Sequence, residues 1–348
     1  MEMLRDCDFN NLIEHRENRK GPMLYIKPFD DVVGGMPKRL TILGGFSGCF
    51  KTTLALNIVY NNAEFLGYNC CLLSLEMEKA EIFLRLLIRH AMHAKFALHN
   101  CIVTLKKVND KGALTTAERD FLLKVVAPDL KSGNRGEIVI ATSEEIMNAS
   151  GDITSFIANV EKELSCRPLK WGHELDLLAI DYIQLLAKFS RKQFAGISDP
   201  FQIVGYLIRA LKYITHGYDN GRGISIIALS QLNRSSYTDV RKRLRNPKID
   251  KNEKYKDLFD LTSFSESSEI VNAADHVVAI YADDALKKEN TAIIQLLKNR
   301  FGETIEAGEK ILALPEIAYV GDFKDDEVDY DPTEDIRNFL DGLISGSI

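Results

Sequence analysis

The sequence predicts an α/β fold with a mainly parallel central sheet flanked by helices, and three observations predict it. Short apolar runs alternate with longer helical stretches, as in strands joined by crossover helices. One run, residues 40–44, leads into Gly45-Phe46-Ser47-Gly48-Cys49-Phe50-Lys51-Thr52, close to the G-x-x-x-x-G-K-[ST] spacing of a phosphate-binding loop. Another, residues 175–181, ends in a carboxylate, Asp181. Ligands of open sheets gather at the C-terminal ends of the strands, so the loop and the acid are expected at one edge.

In order, residues 1–20 are polar and read as an arm or linker with a short amphipathic helix over 4–13. The core is expected over 21–320 and opens with a short helix within 29–37, closed by Gly34 and Gly35. After the first strand and the loop helix, 69–75 is a buried strand with Glu76 at its end. Residues 78–130 read mainly as helix, with Ile82, Leu84, Leu86, Leu87 and Ile88 as the apolar face. A strand at 137–141, a helix at 153–164 and the Asp181 strand follow. A polar stretch over 188–200 precedes a helix at 201–215 and a strand at 223–230, which delivers Gln231, Asn233 and Arg234 to the loop edge. Two last strands, 276–281 and 292–297, complete the sheet, the second running into Lys298-Asn299-Arg300.

Composition excludes several classes. Of the 348 residues, 45% are hydrophobic and 27% charged, which suits a globular chain of one large α/β domain or two small ones. The N-terminus lacks a secretory signal and no apolar run reaches membrane-spanning length, so no membrane partner and a cytoplasmic location are expected. Six cysteines without C-x-x-C spacing argue for reduced thiols rather than zinc or disulfides, and Cys49 lies inside the loop. The net charge of −6 is concentrated in 321–348, an acidic tail of nine acids against two bases, and the remainder is close to neutral. Within that remainder, Arg241, Lys242, Arg243 and Arg245 open a basic stretch to Lys256. Such a run is a candidate nucleic-acid backbone contact and is also what a solvated loop shows.

The loop carries the most specific chemistry. Backbone N–H groups from Gly45 through Thr53, with Ser47, Gly48 and Cys49 between, would cradle phosphates; Lys51 would reach the terminal ones, and the Thr52 hydroxyl would ligate Mg²⁺. Asp181 would help to hold that ion through water, although an acid after an apolar strand can also begin a turn. Phe50 stands where the motif has its second glycine. With φ above zero its side chain costs free energy, whereas an ordinary helical φ accepts it.

Six blocks carry a resemblance: Gly-Cys-Phe-Lys-Thr-Thr-Leu-Ala-Leu-Asn-Ile, Leu-Ser-Leu-Glu-Met, Ile-Asp-Tyr-Ile-Gln-Leu, Ala-Leu-Ser-Gln-Leu-Asn-Arg-Ser, Ala-Ala-Asp-His-Val-Val and Leu-Lys-Asn-Arg-Phe-Gly. In this order over about 21–306 they resemble the DnaB-type replicative helicases. The resemblance implies a RecA-like P-loop ATPase core that forms a hexameric ring around single-stranded DNA. It implies translocation 5′ to 3′ with ATP and Mg²⁺, and primase, loader or single-strand-binding protein as partners. By this likeness Glu76 is the base or water-orienting carboxylate and Gln231 senses the γ-phosphate. Lys298 and Arg300 reach across a subunit interface, Arg300 as an arginine finger. Arg234, Arg241, Lys242, Arg243 and Arg245, with the stretch around Arg191 and Lys192, would face the DNA; the segment over 235–261 is expected to be a disordered loop that orders on it. About twenty residues stand where bacterial relatives carry a primase-contacting domain, which points to a phage or mobile-element member. The competing expectation is a nucleotide- and DNA-binding assembly or loading protein that keeps the helicase fold with little unwinding.

Overall fold

The computed structural model describes residues 21–322 apart from 100, 133–134, 167–171, 195, 198, 247, 250–252, 254, 257 and 265–267. The arm over 1–20, its expected helix and the tail from 323 lie outside the described residues. The strands are β1 (Leu40–Gly45), β2 (Cys70–Ser74), β3 (Ile138–Ala141), β4 (Leu177–Asp181), β5 (Ser225–Gln231), β6 (His276–Tyr281), β7 (Thr291–Asn299), β8 (Ile305–Leu314) and β9 (Tyr319–Gly321). The principal helices are α1 (Lys51–Leu66), α2 (Lys79–Ala91), α3 (Ile153–Ser165), α4 (Pro200–Gly221), α5 (Arg234–Arg245), α6 (Ser268–Ala273) and α7 (Asp284–Lys288).

One sheet runs in the order β3-β2-β4-β5-β1-β6-β7-β8-β9. The pairings from β3 through β6 are parallel, and those from β6 through β9 are antiparallel. Strands β1, β2, β4, β5 and β6 are buried on both faces, which is why they read as nearly continuous apolar runs. Leu40, Ile42, Ile180 and Ile226 face a layer built from α3 and α4, whereas Leu43, Ala179 and Ile227 face α1 and α2. At Gly44 no side chain fits, because a Cβ would stand 2.3 Å from the Phe264 ring.

The stretch over 78–130 is not one helix. After α2 come a 3-10 turn (Ala94–His99) and short helices at Leu105–Asn109 and Thr116–Asp120, the latter continuing through a π turn into Ala127–Leu130. New caps explain the breaks: the Thr104 hydroxyl accepts from Lys107 N, and Thr115 with Glu118 makes a capping box. A buried polar network pins this insert to the core. The His90 ring places Nδ1 2.7 Å from the Tyr60 hydroxyl and Nε2 2.9 Å from the Asp129 carboxylate. Burial, aided by Arg135, pushes its pKa down to about 3, so the neutral ring with its proton on Nε2 satisfies both partners.

The basic segment also departs from expectation, since its first half is the helix α5 rather than a loop. Asn233 caps it by accepting from Ser236 N at 2.7 Å, and its Nδ2 donates to Thr262 O. Val240 and Leu244, one turn apart, bury their side chains at 3% and 8% exposure. These anchors are sparse among charged neighbours, which hid the helical period.

Candidate active site and nucleic-acid interface

Parallel pairing brings the expected residues to one edge. Gly45 stands opposite Gln231 of β5 and Ile280 of β6, and β4 ends at Asp181 beside Ser74 of β2, two residues before Glu76. The phosphate loop, Glu76, Asp181 and Gln231 therefore converge. The Thr52 hydroxyl donates to the Asp181 carboxylate at 2.6 Å. The Lys51 ammonium donates to the carbonyls of Gly45 and Phe46, both at 2.8 Å. Thr53 faces inward in the first turn of α1. Cys49 is buried, its Sγ within 3.4 Å of the Ala282 carbonyl, and burial raises its thiol pKa, so it packs rather than reacts.

Electrostatics reflect this crowding. Burial lowers the Lys51 pKa, opposed by the nearby Cys49, Asp181 and Glu76 groups. Burial raises that of Asp181; the Thr52 hydroxyl opposes this, and the Glu76 charge adds to it. A hydroxyl and a carboxylate in contact beneath a phosphate cradle fit Mg²⁺, a hard ion that takes one or two protein oxygens and completes its shell with phosphate and water. Among the described residues there is no group of three or more His, Cys, Asp and Glu that could hold a metal ion.

Phe50 takes the strained alternative, with φ 63° and ψ 16° at the N-cap of α1. The left-handed conformation costs about 1–2 kcal/mol for a residue with a side chain. Its partly buried ring packs on the α1 face of the sheet, with the Lys287 ammonium 5.7 Å from its centroid. These contacts offset the strain. Phe50→Ala keeps the backbone cost and loses the ring, whereas Phe50→Gly loses both. Denaturant unfolding is expected to show Phe50→Gly more stable than Phe50→Ala by about 1 kcal/mol. The reverse order would mean that the backbone is not strained there.

Lys298 and Arg300 do not join this edge. Because β7 is antiparallel, its end lies at the opposite edge: Asn299 pairs with His276, the first residue of β6, and Arg300 N donates to Asp275 O at 2.9 Å. Both cations reach the C-terminal end of α6, Lys298 Nζ donating to Val271 O at 2.6 Å and Arg300 Nη2 to Asn272 O at 2.9 Å. Asp275, fully buried, accepts from Leu40 N at 2.9 Å and from Lys212 at 2.5 Å, and Arg300 lies 3.6 Å from its other oxygen.

Burial raises the Asp275 pKa, but the Lys212, Leu40 and Arg300 contacts outweigh it and hold the carboxyl below its ordinary range. A depressed carboxyl stabilises the fold fully above its unfolded pKa of about 4, and this contribution is lost as pH falls through the folded value. Asp275→Asn is therefore expected to cost about 3 kcal/mol at pH 7, with the gap to the parent closing below about pH 4. A gap independent of pH would show that charge is not what Asp275 contributes.

Of the candidate DNA contacts, Arg191 and Lys192 lie exposed in a 3-10 turn (Ser190–Phe194), and Arg234 and Arg245 bound α5. Arg241 and Lys242 are exposed, the Arg241 guanidinium lying 5.4 Å from the Tyr237 ring centroid. Arg243 is half-buried and donates to Glu253 O. α5 follows β5 directly, so it rises from the same edge as the loop.

Sequence reading missed two features here. Lys287, on α7 after β6, brings its ammonium within 3.5 Å of where a Gly48 Cβ would stand. Phe46, the loop's second residue, packs its ring on Tyr237 of α5. The first was findable, because β6 had to end beside the loop once it paired with β1; the second depends on a contact between distant parts of the chain that no local pattern encodes.

The mainly parallel sheet, with the loop, Glu76, Asp181 and Gln231 gathered at the carboxyl ends of its strands, defines an α/β fold of the RecA-like kind. The model of the DnaB-like helicase C-terminal domain matches residues 24–310, and the chain belongs to that family. Among curated relatives it is 27% identical over 292 residues to the replicative DNA helicase DnaB of Geobacillus stearothermophilus, covering 82% of this chain and 54% of that protein. The replicative DNA helicase DnaC of Bacillus subtilis (strain 168) matches to the same extent. The chain thus spans about half the length of these relatives. Among solved structures, an ATPase domain aligns with TM-score 0.65 and 18% identity over 90% of this chain and 96% of that one. A DnaB-like replicative helicase, solved for its interactions with primase, aligns with TM-score 0.64 and 18% identity over 91% of this chain and 67% of that one. Among the described residues no helix is long and apolar enough to cross a membrane.

Proposed function

We propose that this chain is the motor of a replicative DNA helicase, which hydrolyses ATP with Mg²⁺ and translocates along single-stranded DNA as a hexameric ring. The observation that carries the reading is the contact of Thr52 with Asp181 directly beneath the Lys51 loop. That is an oxygen pair placed for the ion of a nucleotide, and relatives of this chain are named replicative DNA helicases. Bound Mg²⁺ would neutralise charge on the β- and γ-phosphates. Backbone N–H groups of Gly45–Thr53 hold the phosphates, the Lys51 ammonium turns a donor to the terminal ones, and Thr52, with Asp181, would hold the ion. Glu76 orients or deprotonates the attacking water, and Gln231, beside Gly45, reads the terminal phosphate. Arg300, with Lys298, serves the site of the next subunit. Residues 21–320 form the motor, and a primase, a loader or a single-strand-binding protein is its partner.

Arg234, Arg241, Lys242, Arg243 and Arg245 are assigned to the DNA backbone, which positions the strand without reading sequence. The test combines ATP hydrolysis with and without single-stranded DNA, unwinding of a forked duplex, and salt-dependent DNA binding. Charge reversal at Arg241, Lys242 and Arg243 is expected to weaken binding at low salt and to reduce the log–log salt slope by about 2, at roughly 0.7 per phosphate contact. An unchanged slope would remove α5 from the interface. ATP binding without turnover in any condition would instead support an assembly or loading protein.

A further inference from the structure

We infer that Phe46 and Tyr237 form a direct link between the phosphate loop and α5, through which bound nucleotide and bound single-stranded DNA alter each other's affinity; this rests on the reading of α5 as a DNA-contacting surface. Phe46 is 8% exposed and its ring meets three others from separate parts of the chain. Tyr237 of α5 stands edge-on at 5.0 Å, Phe259 at 5.7 Å, and Tyr281 at the end of β6 at 6.3 Å. Tyr237 then lies within cation–π range of Arg241, at 5.4 Å. A continuous path therefore runs from the backbone of the loop, through two rings, to a cation assigned to phosphodiester.

Both ends of this path have a reason to move. Lys51 donates to the Phe46 carbonyl itself, so a terminal phosphate that draws on the same ammonium redirects or weakens that bond. On this proposal the Phe46 peptide shifts between nucleotide-free and nucleotide-bound states as the ammonium is drawn toward phosphate. Its ring is packed on three others, so it does not follow the backbone without displacing Tyr237. At the far end, a phosphodiester competes with the Tyr237 face for the Arg241 guanidinium. A single element biased by two ligands is what thermodynamic coupling requires, and the effect must be reciprocal.

The experiment measures the affinity of an oligothymidylate with and without a non-hydrolysable ATP analogue, and of the analogue with and without oligothymidylate. The proteins are the parent, Phe46→Leu, Tyr237→Leu, their double variant, Tyr237→Phe and Arg241→Glu/Lys242→Glu. The coupling factor is expected to fall roughly twofold to tenfold in Phe46→Leu and in Tyr237→Leu, the range of one aromatic pair. The double variant should fall no further, and Tyr237→Phe should retain the parent's value. Tyr237 is 42% exposed, so its replacement tests the link even where Phe46→Leu folds poorly. Weakened DNA binding in the charge-reversed protein with undiminished coupling in Tyr237→Leu overturns the link alone, as does a parent without coupling. Unchanged DNA binding in the charge-reversed protein overturns the assignment of α5, and the link with it.

Discussion

Glu76→Gln is expected to bind ATP with near-parental affinity while its DNA-stimulated turnover falls by at least about a hundredfold, the low end of what a positioned acid–base group contributes. The side chain is exposed at the end of β2, and its charge is felt by both Lys51 and Asp181, so it stands at the mouth of the cradle rather than in its packing. Glutamine keeps size and hydrogen bonding but cannot take a proton. The loop, Thr52 and Asp181 would still hold the nucleotide. Fluorescent-nucleotide binding and steady-state hydrolysis on the same protein separate the two effects. If the parent binds ATP but turns over no faster than Glu76→Gln, the site holds nucleotide without using it as a motor does. A loss of binding in Glu76→Gln would make the residue part of the cradle instead.

What could be read from the sequence follows from how the strands are buried and directed. β1, β2, β4, β5 and β6 have both faces covered, so each announces itself as an apolar run, and parallel pairing then commits all their ends to one edge. Glu76, Asp181 and Gln231 were therefore placed by strand direction alone. β8 and β9 escaped, because β8 mixes Glu306, Gly308, Glu309 and Lys310 among its apolar residues and β9 has only three residues. α5 escaped for a related reason: Val240 and Leu244 mark its inner face, but eight basic residues between 241 and 256 dominate the composition. The φ of Phe50 lay beyond any pattern, since the same residue fits either backbone at a different cost. The direction of β7 was equally silent in the sequence, and it decides where Arg300 goes.

Arg300→Ala is expected to lower hydrolysis by about a thousandfold, close to 4 kcal/mol of transition-state stabilisation, with ATP binding retained. The fold argues that the loss is suffered by a neighbour. Arg300 lies beside Asp275, which caps Leu40 at the start of β1, whereas its own phosphate loop begins at the other end of that strand. Five residues of extended chain separate the two by about 17 Å, beyond the reach of a side chain. In a ring closed by head-to-tail contacts, one face of each subunit meets the opposite face of the next, so a group far from its own site stands close to its neighbour's. The Arg300 side chain is 41% exposed and is held by one hydrogen bond to Asn272 O and a 3.6 Å ion pair, contacts weak enough to exchange for a phosphate. Mixing inactive Arg300→Ala with inactive Lys51→Ala gives the decisive readout. The first protein has an intact cradle and the second an intact arginine, so about a quarter of the interfaces in a randomly mixed ring are complete. Hydrolysis that returns on mixing and requires oligomer establishes a finger acting in trans. A mixture as inactive as its components would leave Arg300 as a clamp on α6 and Asp275, and Arg300→Ala would then show its effect in the melting temperature rather than in kcat.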